Sequence, residues 1–142
     1  MIRQKQTWIS LASAFLILLF TYAALSKLLD YQRFSGQIES SLLLKYWAGV
    51  LAWMIPGIEL CVVVLLIVPS WRRIGFVFSA LLLLMFTIYI AMMLISFDTL
   101  PCSCGGVFER MSWTQHLAFN IVFTLIAVAG IFGMSRKKIL SR

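Results

Sequence analysis

Four stretches of the chain are almost wholly apolar, and the polar residues collect between them. They run from about Thr7 to Leu29, Ala48 to Val68, Ile74 to Phe97 and Trp113 to Phe132. Each approaches or exceeds the roughly 20 residues a helix needs to cross a hydrocarbon layer. None alternates apolar and polar positions as a half-buried strand does. The pattern predicts an all-α integral membrane four-helix bundle with short loops, in a single domain over residues 1–142. Arg3 and Lys5 give the first stretch the basic start of a signal peptide. Its apolar run outlasts the usual h-region of about 7 to 15 residues, and no Ala-x-Ala site closes it, so a retained first helix is expected.

The connecting segments are more varied. Between Asp30 and Tyr46, Phe34, Ile38 and Leu42 recur every four residues, which predicts one apolar face on a short interfacial helix. The second stretch contains Pro56, Gly57 and Glu59, and the proline predicts a bend that neighbouring helices accommodate. Pro69 to Arg73 reads as a tight turn, and DTLPCSCGGVFERM, residues 98–111, as the loop before the last helix. Ser112 followed by Gln115 predicts a capping box at that helix's start.

Composition agrees with lipid as the solvent: 62% of residues are hydrophobic and 12% charged. A soluble domain of 142 residues cannot bury so much apolar surface. The net charge of +7 does not mark a nucleic-acid surface, because the basic residues stand at the ends of apolar stretches. They set orientation instead. Arg3, Lys5, Arg72, Arg73, Arg136, Lys137, Lys138 and Arg142 fall on one side, against Lys27, Arg33, Lys45 and Arg110 on the other. The positive-inside rule then predicts both termini in the cytoplasm, and a bacterial inner (plasma) membrane protein whose Cys102/Cys104 loop faces the periplasm.

Chemistry concentrates at Pro101-Cys102-Ser103-Cys104-Gly105-Gly106. Thiols one residue apart form a disulfide only through a tight backbone fold, which the glycines ease. Such small rings are strained and exchange readily. The alternative is a structural bridge or an idle thiol pair. His116 and Asn120 lie four residues apart, on one face of the last helix near that loop. There His116 tunes a thiolate and Asn120 orients it; the plainer reading makes them interfacial or interhelical polar residues. Glu59 and Lys27 are intramembrane charges, expected as a structural ion pair if the lysine reaches inward, with proton transfer as the sharper reading. Cys61 is expected as a small buried hydrophobe, and the scattered methionines as packing.

Three function classes stay open. The first is extracytoplasmic thiol–disulfide chemistry, with a quinone among the conceivable acceptors and no cofactor demanded by the residues. The second is copper or zinc binding by Cys102, Cys104 and His116, with Glu109 or Met111 nearby. The third is a non-catalytic membrane subunit anchoring a larger complex, which would tolerate loss of both cysteines.

Taken together, YAALSKLLDYQRF, IPGIELCVVVLLIV, PCSCGG and WTQHLAFN, in that order and over almost the whole chain, resemble the MauE group of DoxX-like membrane proteins. The resemblance implies a four-helix, redox-associated protein that helps form disulfides outside the cytoplasm, as in methylamine utilisation. There it implies a periplasmic thioredoxin-like partner or a cysteine-containing client. By position, Cys102 and Cys104 fall on the family's Cys-x-Cys and Asn120 on its fourth-helix asparagine. His116 and the Gly-Gly pair depart from its pattern. A looser likeness to vitamin K epoxide reductase-type proteins is architectural.

Overall fold

The computed structural model describes residues 2–41, 43–96 and 112–140, with side chains placed over 3–41, 43–96 and 112–134. Five helices follow one another: α1 (Ile2–Leu29), α2 (Tyr31–Ser40), α3 (Ala48–Ile67), α4 (Arg72–Ser96) and α5 (Trp113–Leu140). All but α2 are long and apolar enough to cross a membrane. Helix α3 begins where the hydropathy pattern places it, whereas α1 starts five residues earlier and α5 runs eight residues further. Those extensions carry Arg3 and Lys5 in α1 and Arg136, Lys137 and Lys138 in α5, so hydropathy misses them while the backbone hydrogen bonding simply continues. At 28 residues each, α1 and α5 are about 42 Å long, more than the roughly 30 Å hydrocarbon layer. Their basic ends therefore reach headgroup level.

Around the bundle, α1 packs on α3, α3 on α4, α4 on α5 and α5 back on α1. Successive spans are antiparallel, which puts both described ends of the chain at the same end of the bundle. The core is a column of Leu16, Phe20, Val62, Leu66, Phe76, Leu83 and Ala127, closed by Ala12 and Val63. Outward-facing side chains such as Leu18, Met85 and Leu125 are exposed and suit lipid. Among the methionines, Met93 packs inward while Met54, Met85 and Met92 face outward, so packing explains only part of that set. Cys61 is also exposed on the outer face of α3, not buried as its hydrophobic character led one to expect.

The end that carries the termini is drawn tight by backbone contacts. The Leu66 carbonyl, left without a helical partner at the end of α3, accepts from Arg72 Nε at 3.1 Å and Ser13 Oγ at 3.3 Å. A Cβ on Gly75 would stand 2.9 Å from the Leu66 nitrogen, and one on Gly130 would run into the Phe76 ring. At Gly75, α4 approaches α3 at backbone distance, whereas at Gly130 it is the buried Phe76 ring of α4 that lies on the glycine of α5. The obstacle at Gly75 is main chain and cannot rotate away. Gly75→Ala is therefore expected to destabilise by about 1 to 3 kcal/mol, the usual cost of overpacking. A melting temperature in detergent indistinguishable from that of the parent would contradict the close approach.

At the opposite end, α2 presents one apolar face. Phe34 and Ile38 are buried against Ala48 and Ala52 at the start of α3, so the helix packs on the bundle itself. Leu42, the third member of the expected stripe, lies outside the described residues. Tyr89 donates from its hydroxyl to Ser41 Oγ at 3.1 Å, which fastens the end of α2 to α4. Pro56 is buried within α3, one turn before Glu59, and frees a carbonyl of that helix from its usual bond.

Candidate functional site

Lys27 lies in the last turn of α1, where a cation is favoured by the helix carbonyl end. Ordinarily such a lysine extends towards the headgroups. This one turns inward. Ser13 on α1 is level with Leu66 on α3, through the hydrogen bond that joins them. Counting outward from that level, Lys27 is about 21 Å along its helix and Glu59 only about 10 Å along its own. The lysine side chain runs back along the bundle, and Nζ meets Glu59 Oε1 at 2.7 Å. Nζ also donates to the Ala23 carbonyl at 3.4 Å. Attraction between two charges in a low-dielectric interior outweighs the lysine's hydration at the interface only because the contact is this short.

The pair is enclosed. Glu59 is 1% exposed and Lys27 16%. The rings of Phe34 on α2 and Phe86 on α4 stand 5.7 and 5.8 Å from Nζ, within cation–π range. Four helices thus contribute to one polar site, and α2 closes it from above. Glu59 Oε2 is buried and has no hydrogen-bond partner among the described residues.

Helix α5 supplies the fourth wall. Ser112 Oγ accepts from the Gln115 amide at 3.2 Å while Gln115 Oε1 accepts from the Ser112 amide at 3.0 Å. This is the reciprocal capping box that the sequence predicts. It fixes where α5 begins, and so the height of His116 one turn below. His116 is half-buried and within electrostatic reach of the Lys27 ammonium. Asn120 is buried, and its side-chain amide donates to the His116 carbonyl at 3.2 Å. That bond ties the amide to its own helix.

Cys102 and Cys104 lie outside the described residues, as do Glu109 and Met111. Ser96 and Ser112 flank the segment that carries them, at the end of the bundle where Lys27, His116 and α2 gather. Among the described residues, no three His, Cys, Asp or Glu side chains form a cluster able to hold a metal ion. The aromatic members of the site, Phe34 and Phe86, were not legible as such, and α4 reads from sequence as pure packing. One signal was present there: Tyr89 in an apolar run needs a partner for its hydroxyl.

Four apolar spanning helices enclosing a buried ion pair define a multi-pass helical membrane protein. The chain belongs to the MauE family: a family model described as methylamine utilisation protein MauE matches residues 5–133. Methylamine utilization protein MauE of Paracoccus denitrificans is 35% identical over 124 residues, 84% of this chain. The match covers 66% of that relative, just under two thirds of its length. No solved structure matches the chain.

Proposed function

We propose that this protein takes part in thiol–disulfide exchange outside the cytoplasm, using Cys102 and Cys104 on the segment between α4 and α5. In this reading the termini are cytoplasmic, the membrane is a bacterial inner membrane and the cysteine segment faces the periplasm. The observation that carries it is convergence: the helices on either side of the Cys-x-Cys segment lead to the end of the bundle that holds His116 and Lys27, with Glu59 and Asn120 deeper below. The excess of Lys and Arg at the other end supports the orientation.

The exchange runs through a mixed disulfide. A thiolate of a thioredoxin-like protein or cysteine-containing client attacks one sulfur of a Cys102–Cys104 disulfide and displaces the other as thiolate. The partner's second thiolate then attacks the mixed disulfide, leaving the partner oxidised and the Cys102/Cys104 pair reduced by two electrons. His116 favours the thiolate when it carries a proton. The label shared by the family and its relative, methylamine utilisation, is the setting in which a client would first be sought.

The test is thiol trapping in intact cells with a membrane-impermeant maleimide, on a variant whose Cys61 is replaced by Ala. Labelling of the outer pair only after reduction is expected. Labelling at full extent without reduction would remove the disulfide from the proposal, and no labelling after reduction would reverse the topology.

A further inference from the structure

The geometry points to the Lys27–Glu59 site as a binding site for the head group of a lipid-soluble quinone. The inference extends the thiol–disulfide reading by naming the class of its electron acceptor, and it rests on that reading only for the transfer of electrons, not for the binding.

Glu59 Oε2 is a buried hydrogen-bond acceptor with no partner among the described residues, in a side chain only 1% exposed. Lys27 Nζ has three N–H donors, of which Glu59 Oε1 and the Ala23 carbonyl take two. An acceptor and a donor therefore stand side by side. A quinol hydroxyl donates to the first, and a quinone carbonyl accepts from the second. The Phe34 and Phe86 rings, each under 6 Å from Nζ, keep the surroundings of the ammonium apolar, which suits an apolar ring. Lys27 keeps 16% of its side chain exposed, so the pair is not wholly closed on the lysine side.

Depth selects the ligand. Glu59 is 11 residues along α3 from Ala48, about 16 Å, which is near the middle of a roughly 30 Å hydrocarbon layer. A ligand reaching it from the bilayer must be lipid-soluble yet carry oxygen that both accepts and, after reduction, donates. Quinones have that chemistry. The redox step balances without another reactant: two thiols form one S–S bond and release two electrons and two protons, and the quinone takes up both as its two O–H bonds.

The experiment titrates ubiquinone-1 and menadione into the purified full-length chain in nanodiscs, following quenching of its five tryptophans. Saturable binding of one quinone per chain is expected. Losing hydrogen bonds to charged groups weakens binding by about tenfold or more, so Lys27→Met/Glu59→Leu should show that loss. This double variant replaces both charges together, so it inserts and folds. The Cys102→Ala/Cys104→Ala variant should bind as the parent does. Absence of saturable binding to the parent, or equal affinity in the Lys27→Met/Glu59→Leu variant, overturns the site. Reduced parent protein should also form one quinol per dithiol. Binding that is intact without cysteine-dependent quinol formation keeps the quinone site and overturns the thiol–disulfide reading instead.

Discussion

Lys27→Met, with Glu59 left in place, is expected to destabilise the protein by about 3 to 5 kcal/mol, the cost of stranding one charge of a buried pair. Glu59 is 1% exposed, its nearest cation is Lys27 at 2.7 Å, and α2 covers the site through Phe34. Nothing else among the described residues forms an ion pair with the carboxylate once the ammonium is gone. Glu59→Leu alone should cost less, because Lys27, in the last turn of α1 and 16% exposed, can extend towards the headgroups. Replacing both residues should return stability to within about 1 kcal/mol of the parent, because apolar side chains of similar volume often substitute for a buried pair at no net cost. Thermal melting of the three variants in one detergent measures all of this as a double-mutant cycle. Additive losses in the double variant would mean that the two charges do not act as a pair in the membrane.

Cys104→Ser is expected to abolish exchange with the partner while leaving insertion and melting temperature unchanged. A serine hydroxyl has no thiolate and cannot accept a disulfide, so the loss should be complete and not graded. Stability should be indifferent because the packing of the four spanning helices is made by side chains of α1, α3, α4 and α5. The assay is the redox state of client cysteines in cells, read by gel shift after alkylation. Unchanged client disulfides in Cys104→Ser cells would favour a membrane subunit whose cysteines are idle. The contrast between the two predictions is diagnostic, since the ion-pair variants act on folding and the cysteine variant on chemistry alone.

Part of the candidate site could be read directly from residue spacing. The Ser112 and Gln115 capping box follows from a three-residue offset, and the shared face of His116 and Asn120 from an offset of four, since both are properties of one helix. Lys27 and Glu59 announced themselves as charges inside apolar stretches, because the bilayer makes such residues costly. Phe34 and Phe86 carried no such mark. Spacing puts Phe34 on an apolar face and Phe86 in an apolar run, but whether such a ring faces lipid, core or a cation is decided only by the packing of α2 and α4. For the same reason Cys61 was expected inside and stands outside: a small apolar side chain is equally at home on the inner and the outer face of a membrane helix. In water, hydrophobic periodicity would have told those faces apart; in lipid both faces are apolar.

The four spans and the start of α5 are specified by consecutive residues alone. Lipid demands about 20 apolar residues with every backbone group bonded within its own helix, a local requirement written in consecutive residues. Which faces meet is set by packing across the chain: Gly75 against Leu66, Gly130 against Phe76, α2 folded onto α3, and Lys27 turned inward to Glu59. These depend on the close approach of helices whose surfaces are alike in polarity. Where no hydrophobic contrast steers them, shape and a few buried polar groups settle the arrangement.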